Sequence, residues 1–478
     1  MANTPHTTLK GGLKSRHLTM MSIAGVIGAA LFVGSGKQIA LAGPAVILAY
    51  IGGGLLVILV MRMLGEMAVA HPDTGSFSTY ADRAIGRWAG FTIGWLYWYF
   101  WALLMGWEAY VAGQILHNWF PFVPDWGYAL IVTLSLIAVN LMNVRSYGEF
   151  EFWFALVKVC AIVIFLVIGS LAILHLWPWG QARGLSQLTA QGFMPNGVKS
   201  VVVALLGVMF AFIGAEIVTV AAAESANPAK EIIRTIRSVV GRICLFYVGS
   251  IFIVVCLVPY DDPMLTQPTH GSYNATLSLL GIPYAQVIVN FVVLTSVCSC
   301  FNSALYTASR MLYSLSRRGD AHRIMQTTGR RTGAPYVGVL VSSVFAFAAV
   351  WMMATATMDL YDVLMQATGT IALLVYLVIA CSQLRMRYRL QAEGVELKFK
   401  MWLFPWLTYA VIVCIIAALA TMIVEGTYRT EVAYTSALAG VIVVMGISAQ
   451  RLGIGQRVVP GESKDKPPAG ANLRESQV

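Results

Sequence analysis

The sequence predicts an all-α integral membrane protein of about twelve spanning helices. Ten of them form a five-plus-five inverted repeat with discontinuous helices 1 and 6, and two are peripheral. Three observations lead there. Apolar residues make up 58% of the 478 residues and charged residues only 11%, less than half the charged share of a soluble domain. Apolar runs recur along the whole chain, each long enough at ~20 residues to cross ~30 Å of hydrocarbon. Two of the runs are interrupted by glycine where lipid favours an unbroken helix. A barrel would show ten-residue alternation instead.

Residues 1–17 are polar and basic, lack a cleavage-site pattern, and read as a cytoplasmic N-terminal segment. The first five apolar runs lie near 18–41, 44–69, 88–117, 126–143 and 151–176 and make a first repeat over about 18–176. The next five, near 199–223, 238–259, 284–314, 336–355 and 361–383, make a second over about 199–383. Runs near 402–424 and 432–450 supply the peripheral pair, so that 18–450 reads as a single transporter domain. Residues 451–478 are polar and rich in Pro and Gly, the composition of a disordered tail.

Basic residues set the orientation. Lys10, Lys14 and Arg16, then Arg83 and Arg87, Arg145, Lys230 and Arg234, and the pair Arg317–Arg318 occupy one set of connections. The alternate connections at 117–127 and 259–283 contain no Lys or Arg. The positive-inside rule then places both termini in the cytoplasm. The net charge of +10 follows from this topology and from contact with anionic lipid; no compact basic domain exists to hold nucleic acid. All seven cysteines fall in apolar segments, without metal or redox spacing. The sequence has no phosphate loop, HExxH or GxSxG motif, which argues against an enzyme, and no repeated filter to suggest a channel.

The first interruption is AGVIGAALFVGSG, residues 24–36, with glycines at 25, 28, 34 and 36. Close helix packing would use small residues such as Gly25 and Ala29 in this way. A true break would free backbone groups. The second interruption, FIGAE at 212–216, lies five runs later. Paired breaks in corresponding positions of inverted repeats meet near the bilayer midplane in many transporters. A half-helix N-terminus there offers N–H donors to a carboxylate, and freed carbonyls can receive an ammonium.

The stretches GLKSRHLTMMSIAGVIGAALFVGSG, YGEFEFWFALVKV, GFMPNG, FIGAEIVTVAAAES and FNSALYTASRMLYSLSRRGD resemble the amino acid transporter family of the amino acid–polyamine–organocation (APC) superfamily, over about residues 10–450. The resemblance implies a LeuT-like fold and a proton-coupled importer that works by alternating access across a bacterial inner membrane. It implies a small zwitterionic amino acid substrate, protons as coupling ion, surrounding membrane lipid, and no cofactor, metal or obligate protein partner. By motif position, Val26, Gly28, Ala29 and Ala30 would line the substrate pocket from the first break, and Phe210, Ala211, Ile213 and Gly214 from the second. Phe210 sits where such transporters carry an aromatic gate.

Many α-amino-acid permeases of this family read Gly-Thr-Gly or Gly-Ser-Gly in the first break; here the triplet is Gly28-Ala29-Ala30. The Ala30 methyl would crowd a substituent on the α-carbon, which an ω-amino acid such as 4-aminobutyrate lacks. One methyl is worth ~1–3 kcal/mol of discrimination. The expected substrate is therefore 4-aminobutyrate or a similar ω-amino acid, with proline, histidine or an aromatic amino acid as the alternative.

Ionisable groups inside spans are costly and default to function. Lys158 lies deep in the fifth run. In related proton-driven members a lysine here replaces a sodium ion bridging the first and eighth helices; the other reading is a permanently charged structural cation. Glu216 follows the second break and would either hold the unwound segment in shape or meet the substrate amine. Glu108 is a candidate partner for the γ-amino group, or for an ion pair or proton relay within the bundle. In the eighth run Ser299, Asn302 and Ser303 would face Lys158, and Cys300 would line the pathway or simply pack. Arg62 and Glu66, one turn apart, read as a cytoplasmic gate or anchor pair.

Overall fold

The computed structural model describes residues 16–17, 20, 27–28, 30–142, 144–179, 184–223, 225, 227–267, 271–329, 332–357, 368, 370–424 and 426–451. Among these residues every regular element is helical. A π-helical turn at Ala30–Gly34 leads into α1, Ser35–Ala42. Gly43, at φ +65°, and Pro44 then end α1 and start α2, Val46–Ala70. A short helix α3, Ser76–Ala84, precedes α4, Arg87–Trp119, α5, Asp125–Leu141, and α6, Val144–Ile173.

The second half opens with α7, Gly197–Ala211, followed after a five-residue irregular stretch by α8, Ile217–Ala222. Next come α9, Pro228–Arg242, a π-helical stretch at Ile243–Val248, and α10, Gly249–Leu257. Pro228 suits the first helical position because its missing N–H would have no partner there. The chain continues with α11, Gly271–Leu279, α12, Ala285–Arg317, α13, Tyr336–Ala354, and α14, Ile371–Ala392. It closes with α15, Trp406–Val424, and α16, Gly426–Arg451.

Eight helical stretches among the described residues are long and apolar enough to cross a membrane. The difference from twelve has simple causes. The first two expected spans join in one stretch, Ser35–Ala70. Helices α5 and α7 have only 17 and 15 residues. Helix α4 has 33 residues, but its Trp, Tyr and Gly content lowers its hydropathy. The tail from 452 onward and most of residues 1–26 lie outside the described residues.

Helices α4 and α12 run side by side through the middle of the molecule; α5 and α13 flank them, and α6 packs on α12. Helix α2 is held by α7, α9 and α14. The last two helices pack on each other, with α15 also against α14 and α16 against α4. Their outer faces show Val413, Ile416, Val441 and Val444, an apolar surface of the kind lipid covers.

Candidate functional site

At the first interruption Ile27 and Gly28 are non-helical and the π turn follows. Val26 and Ala29 lie outside the described residues, as do the side chains of Ala30 and Phe210. The glycines of this stretch divide the work. A Cβ on Gly36 would stand 2.0 Å from the Leu265 carbonyl oxygen, so Gly36 permits backbone contact. Among the described residues a Cβ on Gly28 would meet only Cys300 Sγ, at 4.0 Å. Packing and interruption therefore both occur, at different glycines. The turn is braced from α11: the Ser35 and Ser272 hydroxyls lie 2.6 Å apart, and Ser272 donates to the Phe32 carbonyl at 3.4 Å.

The second interruption is a genuine gap between α7 and α8. Gly214 takes φ +107°, a region an L side chain rarely enters, and so stops the helical ladder. The Gly214 amide donates to both carboxylate oxygens of Glu216, at 3.3 Å each. Three tyrosine hydroxyls from three other elements bond to the gap as well. Tyr97 of α4 donates to Glu216 at 2.9 Å, Tyr247 to the Ala211 carbonyl at 3.0 Å, and Tyr376 of α14 to the Phe212 carbonyl at 3.5 Å. Glu216 thus holds the backbone of the gap. Sequence reasoning named none of these tyrosines; only their place in apolar segments could have marked them, since a buried phenol needs a partner. A cavity of about 10 Å³ beside Ile213, Glu216 and Tyr376 has room for about one water, not for an amino acid.

Beside the first interruption lies a buried polar cluster. The Lys158 ammonium, fully buried in α6, donates to the Ile27 carbonyl and to Ser299 Oγ of α12, at 2.9 Å each. Ser299 in turn donates to Glu151 Oε1 at 2.5 Å, and Asn302 donates to Oε2 at 3.2 Å. Asn140 of α5 donates to Asn302 at 2.8 Å. Ser303 lies one turn further on, 3.5 Å from the Tyr147 hydroxyl. Glu151 is fully buried and was not anticipated. The available signal was its spacing: seven residues before Lys158, it falls on the same helical face.

Glu108 of α4 approaches this cluster from the other side, with the Cys300 thiol in hydrogen-bonding reach of its carboxyl. It is 4% exposed, and its Oε2 has no hydrogen-bond partner among the described residues. Gly28, Glu108, Lys158, Ser299 and Cys300 are therefore brought together. A second cavity, of about 520 Å³, opens between α6, α11 and α12, but residues such as Phe32, Ile164, Phe165 and Val292 line it and no charged group does. It does not suit a zwitterion.

Arg62 and Glu66 sit far from this cluster and do not pair with each other. Glu66 accepts from Arg387 at 2.6 Å, Gln383 at 3.0 Å and the Met401 amide at 2.5 Å. Arg62 donates to the Lys400 carbonyl at 2.9 Å and lies over the Trp402 ring at 3.9 Å. The segment after α14 folds over the end of α2 and outcompetes the local i,i+4 contact. Nearby, Arg87 and Arg318 both reach Asp320, at 2.9 and 3.4 Å. Burial lifts the Asp320 carboxyl above the usual range, and the two arginines pull it back.

Residues 17–450 match the amino acid permease family. The chain belongs to that family. It is a multi-pass membrane transporter and not an enzyme. It is 55% identical over 451 residues to the gamma-aminobutyric acid permease of Escherichia coli (strain K12), covering 94% of this chain and 96% of that protein. The gamma-aminobutyric acid permease of Bacillus subtilis (strain 168) is 46% identical over 444 residues, covering 92% of this chain and 94% of that one. The aromatic amino acid transport protein AroP of Corynebacterium glutamicum is 39% identical over 436 residues, covering 91% and 94%.

Proposed function

We propose that this permease is a proton-coupled importer of 4-aminobutyrate and similar ω-amino acids. It works by alternating access, with twelve helices in the five-plus-five arrangement and both termini in the cytoplasm. The carrying observation is the buried Lys158 ammonium, which ties the Ile27 carbonyl of the first interruption to Ser299 of α12. A charge at that depth is expensive unless it is used, and here it joins two elements that alternating access must separate. The 4-aminobutyrate assignment is supported by near full-length relatives named as gamma-aminobutyric acid permeases.

In this reading the substrate occupies the space beside Gly28. Its carboxylate faces backbone amides of the interrupted helices and its γ-amino group reaches the unpartnered oxygen of Glu108. A 4-aminobutyrate zwitterion has no net charge, so cotransport with one proton moves one positive charge. At 100 mV this supplies ~2.3 kcal/mol, or roughly a 50-fold gradient, and nucleotide hydrolysis is unnecessary.

The test is uptake of labelled 4-aminobutyrate into proteoliposomes under imposed pH and voltage gradients, with a panel of competing amino acids. Saturable uptake that collapses with a protonophore is expected. If millimolar 4-aminobutyrate failed to compete while another amino acid was carried, the substrate assignment would fall. Likeness to AroP makes an aromatic substrate the second reading, with proline or histidine beside it.

A further inference from the structure

The hydrogen bonds of the buried cluster have a direction. Lys158 donates to Ser299, and Ser299 donates to Glu151. Ammonium, hydroxyl and carboxylate stand in line at 2.9 and 2.5 Å, the order a proton needs to pass from amine to acid in one concerted hop. Beyond Glu151 the polar seam between α6 and α12 continues toward the N-terminus of α6 and the C-terminus of α12. Tyr147 lies one turn from Glu151 and contacts Ser303. Its ring stacks on Tyr306 at 4.2 Å, and the Arg310 guanidinium covers Tyr306 at 3.6 Å. All three side chains are at most 2% exposed. Buried polar groups are rarely strung along one helix seam unless something uses them.

We propose that Glu151 receives the coupling proton from Lys158 through the Ser299 hydroxyl and releases it at the end of the α6–α12 seam that carries Arg317 and Arg318. The inference rests on the proton-coupled reading above and adds the acceptor to it. In the transfer an N–H bond of Lys158 breaks as an O–H bond forms on Ser299. The original Ser299 proton moves to Glu151 Oε1. The ammonium–carboxylate pair becomes a neutral amine and a neutral acid. The neutral amine grips the Ile27 carbonyl less strongly than the ammonium did, which favours return of the unloaded carrier, and the acid loses its proton to water once that side has opened. The titratable groups facing Glu151 are Lys158 and Tyr147 on α6 and Cys300 on α12. Glu108 of α4 faces Lys158 from across the cluster, and α5 contributes only the neutral Asn140, through Asn302. Glu151 is thus the carboxylate that Lys158 reaches through a hydroxyl, on the side toward the start of α6.

The experiment separates two modes of transport in proteoliposomes. Exchange of labelled for unlabelled 4-aminobutyrate does not need the proton to leave, whereas net uptake driven by a pH gradient does. With Glu151→Gln, net uptake is expected to slow about 100-fold, the scale of one lost acid–base group, while exchange slows less than about threefold. Ser299→Ala breaks the middle link without touching either charge and should show the same split. Glu151→Asp should recover part of the net rate. Net uptake and exchange falling together in both Glu151→Gln and Ser299→Ala would make Glu151 a structural residue and overturn the relay. So would gradient-driven uptake by Glu151→Gln at the wild-type rate. Wild-type uptake indifferent to the gradient is a different failure, visible without any variant, and removes proton coupling and relay together.

Discussion

Replacing Lys158 with methionine tests the centre of the molecule. The side chain keeps its length but loses the ammonium. The Ile27 carbonyl then has no Lys158 donor, and Glu151, fully buried, keeps neutral donors such as Ser299 and Asn302 but loses its cation. Removing one partner of a buried charge pair costs about 3–5 kcal/mol, because the remaining charge is left uncompensated. Lys158→Met should therefore lower the thermal midpoint in detergent sharply. Lys158→Met/Glu151→Gln removes both charges at similar volume and should recover most of that loss. Transport separates from stability in this pair. The accumulation ratio should fall from roughly 50 at 100 mV toward about 1 in both variants, since neither can carry the charge that supplies ~2.3 kcal/mol. Accumulation well above unity in the double variant, abolished by a protonophore, would refute the argument. So would a double variant no more stable than the single one.

The two glycines of the first interruption should behave oppositely. Gly36→Ala places a methyl against the Leu265 backbone and should prevent a stable fold, whereas Gly28→Ala meets, among the described residues, only Cys300 at contact distance and should fold while raising the KM for 4-aminobutyrate. An unchanged KM in Gly28→Ala would remove Gly28 from the substrate site. Gly214→Ala forces an L side chain to φ +107° at a cost of about 1–3 kcal/mol, and should lower both the thermal midpoint and the uptake rate. Glu66→Gln leaves the Arg387 guanidinium without its carboxylate and should cost about 3 kcal/mol of thermal stability, with uptake per folded molecule altered far less.

Much of the site was legible because lipid makes its exceptions conspicuous. A lysine in FALVKVCAIVIF and a Gly-Ala-Glu inside an apolar run stand out against residues that need no explanation. Glu151 was less visible. At the edge of the apolar run near 151–176 it passes for an interfacial charge, yet α6 begins at Val144, so Glu151 lies two turns inside the helix. Its burial depends on where α12 packs, and no local pattern encodes that. Arg62 and Glu66 illustrate the converse. Their i,i+4 spacing is a true local signal worth only ~0.2–0.5 kcal/mol, and a distant segment offering a guanidinium, an amide and a backbone N–H prevails. The tyrosines that close the gap before α8 come from three separate regions of the chain, a convergence only the fold brings about.

The grip of Glu66 constrains how such a machine can rock. One carboxylate receives donors from two turns of α14 and from the linker beyond it, all anchored to the inner end of α2. Parting those two helices would sacrifice three charge-assisted contacts at about 1.5–3 kcal/mol each, more than a single proton delivers at 100 mV. They therefore travel as one riveted plate, and the flexing has to be absorbed by joints elsewhere.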